Sequence, residues 1–357
     1  MPKTFFQTEL KKWYEDHKRD LPWRKTSDPY RVWLSEIMLQ QTRVSQGLSY
    51  YEKFSKRFTS IRDLAEADDD AVMKLWEGLG YYSRARNMLH AARQVQNDMG
   101  GEFPSTYTEI KKLKGVGDYT AAAIASIAFG EAYAVVDGNV YRVLSRFLGI
   151  DTAINSSAGK KEFAAAAEMM LDQDDPATYN QAIMEFGALQ CVPKSPDCEK
   201  CVLKDRCMAY ARGRVGELPV KNRVKYDRQR YFHYLLLNRS GHLIIERRED
   251  SDIWRQLYQF PLHEGPEPLE MEELIEVFKL PADFKIIEYS FLSPHKLSHQ
   301  TIHVRILKLQ VPENEVVELR EGQQWVMYSE LDELAFPRPL RQYLDQNQLT
   351  LPFGFWA

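Results

Sequence analysis

Up to about residue 212 the apolar positions recur three or four apart, the spacing of one face of an α-helix. Phe5, Phe6, Leu10, Trp13 and Tyr14 predict an amphipathic helix within Met1–Asp20. Asp28-Pro29 opens another from Tyr30 to Thr42, with Pro29 suited to a first turn. Further helices are expected over Gln46–Arg57, from the Asp68-Asp69-Asp70 cap to Gly78, and over Ser83–Asp98. The same pattern returns over Asn139–Gly149, Ala158–Asp172 and Pro176–Leu189. Beyond Tyr231 it gives way to β signals. Phe232–Leu237 and His242–Ile245 flank Asn238-Arg239-Ser240-Gly241 as a hairpin, and strands fit Ile286–Phe291, His303–Leu309 and Gln324–Tyr328. Helices are expected at Glu270–Phe278 and Pro339–Gln346.

The patterning therefore predicts a mainly α domain over residues 1–212, a linker over 213–229 and an α+β domain over 230–357. A length of 357 residues fits two domains. No stretch approaches the roughly 18 consecutive apolar residues of a membrane span, and Met1–Asp20 has no apolar signal core. A cytoplasmic protein with no membrane partner is expected, and a monomer. The net charge of −4 excludes a uniformly basic nucleic-acid binder, but the charge is uneven. Lys204–Arg230 carries nine Lys/Arg against three Asp/Glu, so the linker region could equally follow a phosphate backbone or serve as a soluble spacer.

Four features carry candidate chemistry. All four cysteines, Cys191, Cys198, Cys201 and Cys207, lie in one C-x6-C-x2-C-x5-C stretch. Two disulfides in so short a cytosolic segment are not expected, whereas four thiolates can surround one zinc ion or one iron–sulfur cluster, and spacing alone does not choose. Leu113-Lys114-Gly115-Val116-Gly117-Asp118-Tyr119 joins a helical pattern ending near Lys112 to an Ala-rich one, Thr120–Phe129, closed by Gly130. Two glycines there permit a tight turn and leave backbone N–H groups at a helix N-terminus, which suits a phosphate without reading base sequence; a plain tight turn has the same pattern. Glu36 is a single carboxylate in the apolar stretch Val32–Thr42. It either reaches the surface or sits in a pocket that raises its pKa towards neutrality and fits it to carry a proton. Asp137, in Val135-Val136-Asp137-Gly138-Asn139, is placed to cap the helix that follows, and a capped carboxylate is suited to remain ionised and stabilise a cation. A protonated and an ionised carboxyl on either side of a glycosidic bond form a pair that cleaves it.

The hairpin, the aspartate about twenty residues on and the cysteine spacing resemble the endonuclease III, helix-hairpin-helix superfamily of DNA glycosylases with an Fe–S cluster loop. Leu21-Pro22-Trp23-Arg24, Ser35-Glu36-Ile37-Met38-Leu39-Gln40-Gln41-Thr42 and Trp76-Glu77-Gly78-Leu79-Gly80-Tyr81-Tyr82-Ser83-Arg84 resemble its MutY-type adenine DNA glycosylases. This likeness covers nearly the whole chain. It implies a helical catalytic domain with a six-helix core at about 23–135 and a cluster-bearing part made of 1–22 and 136–212. It implies a [4Fe–4S] cluster on the four cysteines, with double-stranded DNA holding adenine opposite 8-oxoguanine or guanine as partner. By resemblance, Glu36 protonates N7 of a flipped adenine, Asp137 stabilises the sugar cation, and Tyr119 and Asn139 support them. Gln41 and Tyr81 would wedge into the duplex, and Gly115 and Gly117 would hold a phosphate. One of the pair Tyr81 and Tyr82 is expected to be ordinary packing. A bacterial, nucleoid-associated location follows.

Bifunctional members of the superfamily carry Lys where Tyr119 stands, and its amine attacks the sugar. With Tyr here, a monofunctional glycosylase is expected, cutting the base but not the strand. The C-terminal part, with Trp254–Pro261, resembles the MutT-like (Nudix-fold) domain of these enzymes. Glu270–Phe278 lacks the catalytic Nudix pattern, so diphosphate hydrolysis is not expected. In His295-Lys296-Leu297-Ser298-His299, Ser298 and His299 match the family's Phe-Ser-His lesion-reading loop, with Leu297 in place of Phe. Two other readings stand against the leading one. The Tyr119 slot and the extra domain oppose an endonuclease III-like glycosylase with AP lyase activity; Glu36 and Asp137 oppose a non-catalytic Fe–S DNA-binding protein.

Overall fold

The computed structural model describes residues 2–222, 228–249, 252–282 and 284–347. Part of the expected linker, residues 223–227, lies outside them. By its internal contacts the chain divides into two units: Met1–Ala67 with Asn87–Arg223, and Asp68–Arg86 with Val224–Ala357.

The first unit is helical. Its elements are Pro2–His17, Pro29–Leu39, Val44–Arg57, Ile61–Ala65, Tyr107–Ile110, Asp118–Phe129, Gly138–Leu148, Ser157–Met170, Pro176–Leu189 and Met208–Ala211. Most of Ser83–Asp98 also falls here. Caps follow the sequence signals: Asp28, Ser156 and Asp175 each accept a backbone N–H of the first turn of their helices. One core joins the two ends of this unit. Phe6, Leu10 and Trp13 of the first helix share a buried cluster with Val140, Phe147, Tyr179 and Phe186. Burial of such side chains, at roughly 25 cal/mol per Å² of apolar surface, supplies most of the favourable free energy.

Two helices are shorter than their patterns predict. The Glu36 helix stops at Leu39 rather than Thr42, because Gln40 leaves the helical angles with ψ 115°, and Gln41 after it turns into the left-handed region with φ +55°. The helix before the glycine hairpin is a single turn, Tyr107–Ile110, capped by Thr106.

The second unit is built on one mixed sheet. Its strands are β1 Arg228–Arg239, β2 His242–Arg247, β3 Tyr258–Gln259, β4 Leu262–Gly265, β5 Lys285–Phe291, β6 His295–Lys296, β7 Gln300–Gln310 and β8 Gln323–Met327. The main path runs β3-β2-β1-β7-β5, with β4 on β1, β6 on β7 and β8 on β2. Among the described residues only β1 and β7 pair in parallel, in register from Arg228↔Gln300 to Asn238↔Gln310, and the other pairings are antiparallel. Ser240-Gly241 closes the predicted β1–β2 hairpin, both at positive φ. Leu235, Leu237, Leu307 and Leu309 lie in one apolar cluster with Leu274 of the Met271–Phe278 helix. That helix uses its acids structurally: Glu273 takes the backbone N–H of Glu270 in a capping box, and Glu270 pairs with Arg305.

Candidate active site and cysteine loop

The first unit holds a cavity of ≈ 420 Å³ whose wall includes Glu36, Tyr119, Asp137, Asn139, Arg24 and Glu185. These residues come from far apart in the chain and meet because four helices converge there. The Pro29–Leu39 helix brings Glu36, and Asp118–Phe129 brings Tyr119. Gly138–Leu148 begins at Asp137, and Pro176–Leu189 supplies Glu185.

Glu36 is 9% exposed. Burial lifts its pKa to about 7; a hydrogen bond with Tyr119 and the charge of Arg24 oppose the shift, and the neighbouring Asp137 adds to it. Asp137 accepts the backbone N–H groups of Asn139 (2.9 Å) and Val140 (2.8 Å) and the Asn139 Nδ2 amide (2.8 Å). Burial raises its pKa from the usual aspartate range, while these donors and Arg142 favour the charged form. The two carboxyls therefore differ in kind. One is held among apolar groups and keeps a proton near neutrality; the other sits on a helix N-terminus ringed by donors. Tyr119 donates its hydroxyl to Met184 Sδ (3.3 Å), and burial and the two acids push its own pKa well up.

Asn139 is held in turn. Its Oδ1 accepts from Arg142 Nη2 (2.9 Å), and Arg142 also donates to the carbonyls of Gly187 (2.6 Å) and Cys191 (2.7 Å). A Cβ on Gly187 would stand 2.6 Å from Asn139 Cβ, so that helix approaches this close only because the residue is glycine. Across the cavity Glu185, almost wholly buried, takes both guanidinium groups of Arg19 and Arg24 at 2.5–2.9 Å. Burial pushes its pKa up, but those two arginines hold it at about 2. Arg19, Arg142 and Glu185 were not picked out from the sequence. The signal for Glu185 was present: like Glu36, it is the single acid of its helix.

The hairpin divides its two glycines by role. Gly115 has φ +81°, and a Cβ there would lie 2.7 Å from Asn87 Cβ, so the turn requires glycine. Gly117 caps the next helix at an ordinary φ of −99° with nothing within 4 Å of its Cβ position, which leaves its backbone accessible. Lys111 and the Tyr107 hydroxyl turn the Asp118 carboxylate aside.

Gln41, exposed in the first unit, and Tyr81, exposed in the second, both adopt left-handed backbone angles (φ +55° and +48°). Such angles are costly for non-glycine residues and concentrate at functional positions. Tyr82 is the packing member of its pair, buried and accepting the Gly78 N–H (3.1 Å). Ser298 and His299 are exposed in the turn between β6 and β7, where the Leu297 N–H closes on the Gln300 carbonyl (2.8 Å). The Ser298 hydroxyl meets that of Tyr81 at 2.7 Å.

The four cysteines follow the Pro176–Leu189 helix. Each of Cys198, Cys201 and Cys207 feels the charge of Cys191, so the four thiols are near one another. Burial raises the thiols of Cys198, Cys201 (to about 11) and Cys207. Between Cys191 and Cys207 only Leu203 is buried, and one short 3-10 turn, Lys204–Arg206, is the regular structure. The loop has no core of its own. Arg146 supports it from outside, donating to Cys191 Sγ (3.4 Å) and to the carbonyls of Val192, Pro193 and Leu218. Four thiols in one loop beside a guanidinium form a donor set that suits a zinc ion or an iron–sulfur cluster.

Comparisons with known proteins place the fold. The HhH-GPD superfamily of base excision DNA repair proteins matches residues 34–169, and the NUDIX domain matches 233–346. The chain is thus a helix-hairpin-helix glycosylase fold joined to a Nudix-like domain. An adenine DNA glycosylase of Buchnera aphidicola subsp. Baizongia pistaciae (strain Bp) is 34% identical, over 84% of each chain. One of Buchnera aphidicola subsp. Acyrthosiphon pisum (strain APS) is 30% identical over 97% of this chain and 98% of its own. A solved thermostable thymine-DNA glycosylase aligns at TM-score 0.55 and 32% identity, covering 59% of this chain and 97% of that one. The chain belongs to the adenine DNA glycosylase family and is a DNA glycosylase of base-excision repair.

Proposed function

We propose that the protein hydrolyses the N-glycosidic bond of adenine opposite 8-oxoguanine or guanine in duplex DNA, with Glu36 as acid and base. The observation that carries this reading is a buried Glu36 held near pKa 7 across one cavity from a hydrogen-bonded Asp137. With the adenine flipped out of the stack, the Glu36 carboxyl gives its proton to N7. The bond from C1′ to N9 breaks, its electron pair leaves with the base, and the Asp137 carboxylate faces the resulting cation. Glu36, now ionised, takes a proton from the water whose oxygen adds to C1′. Asn139 holds Asp137, and Tyr119 holds Glu36.

Gln41 and Tyr81 enter the duplex, Gly115 and Gly117 present backbone to a phosphate, and Ser298 and His299 read the lesion. Cys191, Cys198, Cys201 and Cys207 hold a [4Fe–4S] cluster, which when bound cross-links a loop that has no core. The cavity wall contains arginines and no lysine, which supports base removal without strand cleavage. No described helix is long and apolar enough to cross a membrane; a nucleoid-associated cytoplasmic site of action accords with a DNA substrate.

The test is a single-turnover assay on duplexes with adenine opposite 8-oxoguanine, scored with and without alkali. Cleavage only after alkali, abolished in Glu36→Gln, is expected. Strand nicking without alkali would replace this reading with a lyase, and tight binding without product would leave a recognition protein.

A further inference from the structure

The segment Asp68–Arg86 lies between two stretches of the helical unit in chain order, yet it packs with Val224–Ala357. Its helix, Asp69–Trp76, is fastened at both ends. At the start, Asp70 accepts the Tyr258 hydroxyl (2.9 Å) and pairs with Arg247 (3.2 Å). At the end, Glu77 Oε1 accepts the backbone N–H of Phe336 (2.9 Å) and Nε of Arg341 (3.0 Å). Its Oε2 takes Lys74 Nζ (2.6 Å), and Lys74 also donates to the Leu334 carbonyl (3.1 Å). Arg341 further donates to the carbonyls of Leu331 (2.8 Å) and Leu334 (2.7 Å) and lies over the Phe336 ring. The side chains of Glu77 and Arg341 are 14% and 15% exposed, so water competes weakly for this pair.

Directly after Glu77 comes the loop that presents Tyr81. Gly78 (φ +89°), Gly80 (φ +80°) and Tyr81 (φ +48°) all occupy left-handed angles. Its inner bonds, Trp76 Nε1 and Arg84 Nη2 to the Gly80 carbonyl (3.0 and 3.1 Å), shape the loop but do not fix where it stands. The Tyr81–Ser298 contact joins two exposed side chains, and an exposed hydroxyl pair contributes little by itself. The loop stands between two anchors, Glu77 on one side and Arg86 on the other, where Nη1 donates to the Arg255 carbonyl (2.8 Å), and Glu77 is the one directly adjoining it.

We propose that Glu77 and Arg341 are positioning residues for reading the base opposite the excised adenine, acting through Tyr81 and Ser298. This rests on the assignment of those two residues made under Proposed function. It goes beyond that assignment in making lesion preference depend on a hydrogen-bonded side-chain pair that touches no nucleotide.

The test uses the full chain in wild-type form and as Arg341→Ala, Glu77→Ala, Arg341→Lys and Glu77→Gln. In the free protein, hydrogen exchange at the amides of 78–82 is expected to rise about tenfold in both alanine variants. Glu77→Gln keeps an acceptor oxygen for Phe336 and Arg341 and is expected to stay within about twofold of wild type. Affinity for an abasic-product duplex is then compared opposite 8-oxoguanine and opposite guanine. The ratio is expected to fall about tenfold in the alanine variants, chiefly through the 8-oxoguanine duplex. Unchanged loop exchange overturns the proposal, as does raised exchange with an unchanged ratio, or an equal loss of affinity on both duplexes. A wild type with no opposite-base preference overturns the assignment of Tyr81 and Ser298 instead, and the exchange measurement still decides whether Glu77 and Arg341 hold the loop. If Arg341→Ala does not fold, Glu77→Ala and Arg341→Lys carry the same readings.

Discussion

Glu36 is where the protein trades stability for chemistry. Its folded pKa of about 7 lies above the ordinary carboxylate value, so the folded state disfavours its charge. The unfolded chain loses this proton first as pH rises; stability therefore falls between about pH 4.5 and 7 and stays lower above that. Glu36→Gln removes the penalty. At pH 8 the variant is expected to unfold at higher denaturant than wild type, by up to about 3 kcal/mol, with the gap closing towards pH 4. Equal stability across that range would mean that Glu36 titrates like a surface acid. The base-removal rate of the wild type should fall as pH rises above about 7, as the acid form is lost. Glu185 behaves oppositely. Its charge is held by Arg19 and Arg24, and Glu185→Ala leaves both guanidinium groups on the cavity wall without their acid, Arg24 the more buried of the two. That change is expected to cost about 3–5 kcal/mol, read by denaturant unfolding.

At the scale of elements, the close approach of Pro176–Leu189 to the start of Gly138–Leu148 sets the position of Asp137. Gly187→Ala would press a methyl against Asn139 Cβ and its carbonyl, at 2.6 and 3.0 Å. The predicted result is a base-removal rate at least about tenfold lower, from displaced Asn139 and Asp137, with DNA affinity little changed. Gly115→Ala should do the reverse, since it strains a turn at φ +81° against Asn87: weaker binding to any duplex, with the rate of bound complex retained. Much of this was legible in the chain. Glu36, Asp137 and the glycine hairpin each carry a local signal, a lone acid in an apolar run, a capping position or a paired glycine. The Glu185–Arg19–Arg24 cluster and the Arg142 bridge join residues up to 166 apart in the chain, and no local pattern encodes such pairings. The early end of the Glu36 helix was hidden for a similar reason: neither the extended ψ of Gln40 nor the left-handed angle of Gln41 has a propensity signal. The short strands β3, β4 and β6 were missed because two to four residues show no alternation.

At the scale of the whole molecule, the cysteine loop has little internal support, with Leu203 its one buried residue, and a chain of polar contacts ties it to the cavity. Arg142 and Arg146, one turn apart on the Gly138–Leu148 helix, donate to the carbonyls of Cys191, Val192 and Pro193. The first of them also holds Asn139, which holds Asp137. If four thiolates bind one cluster, its binding free energy is folding free energy for this loop. Cys201→Ser should then abolish the visible absorbance of the purified protein and lower its melting temperature. The base-removal rate should fall by more than DNA affinity does, because the loss reaches Asp137 through Arg142 whereas the Gly115–Gly117 turn is made elsewhere. Hydrogen exchange separates this from general unfolding: amides of 191–207 and 138–142 should open in the variant, and those of the Asp118–Phe129 helix should stay protected. A Cys201→Ser protein that keeps its colour, or one that loses colour with melting temperature and exchange unchanged, would mean that the loop is held by the protein alone.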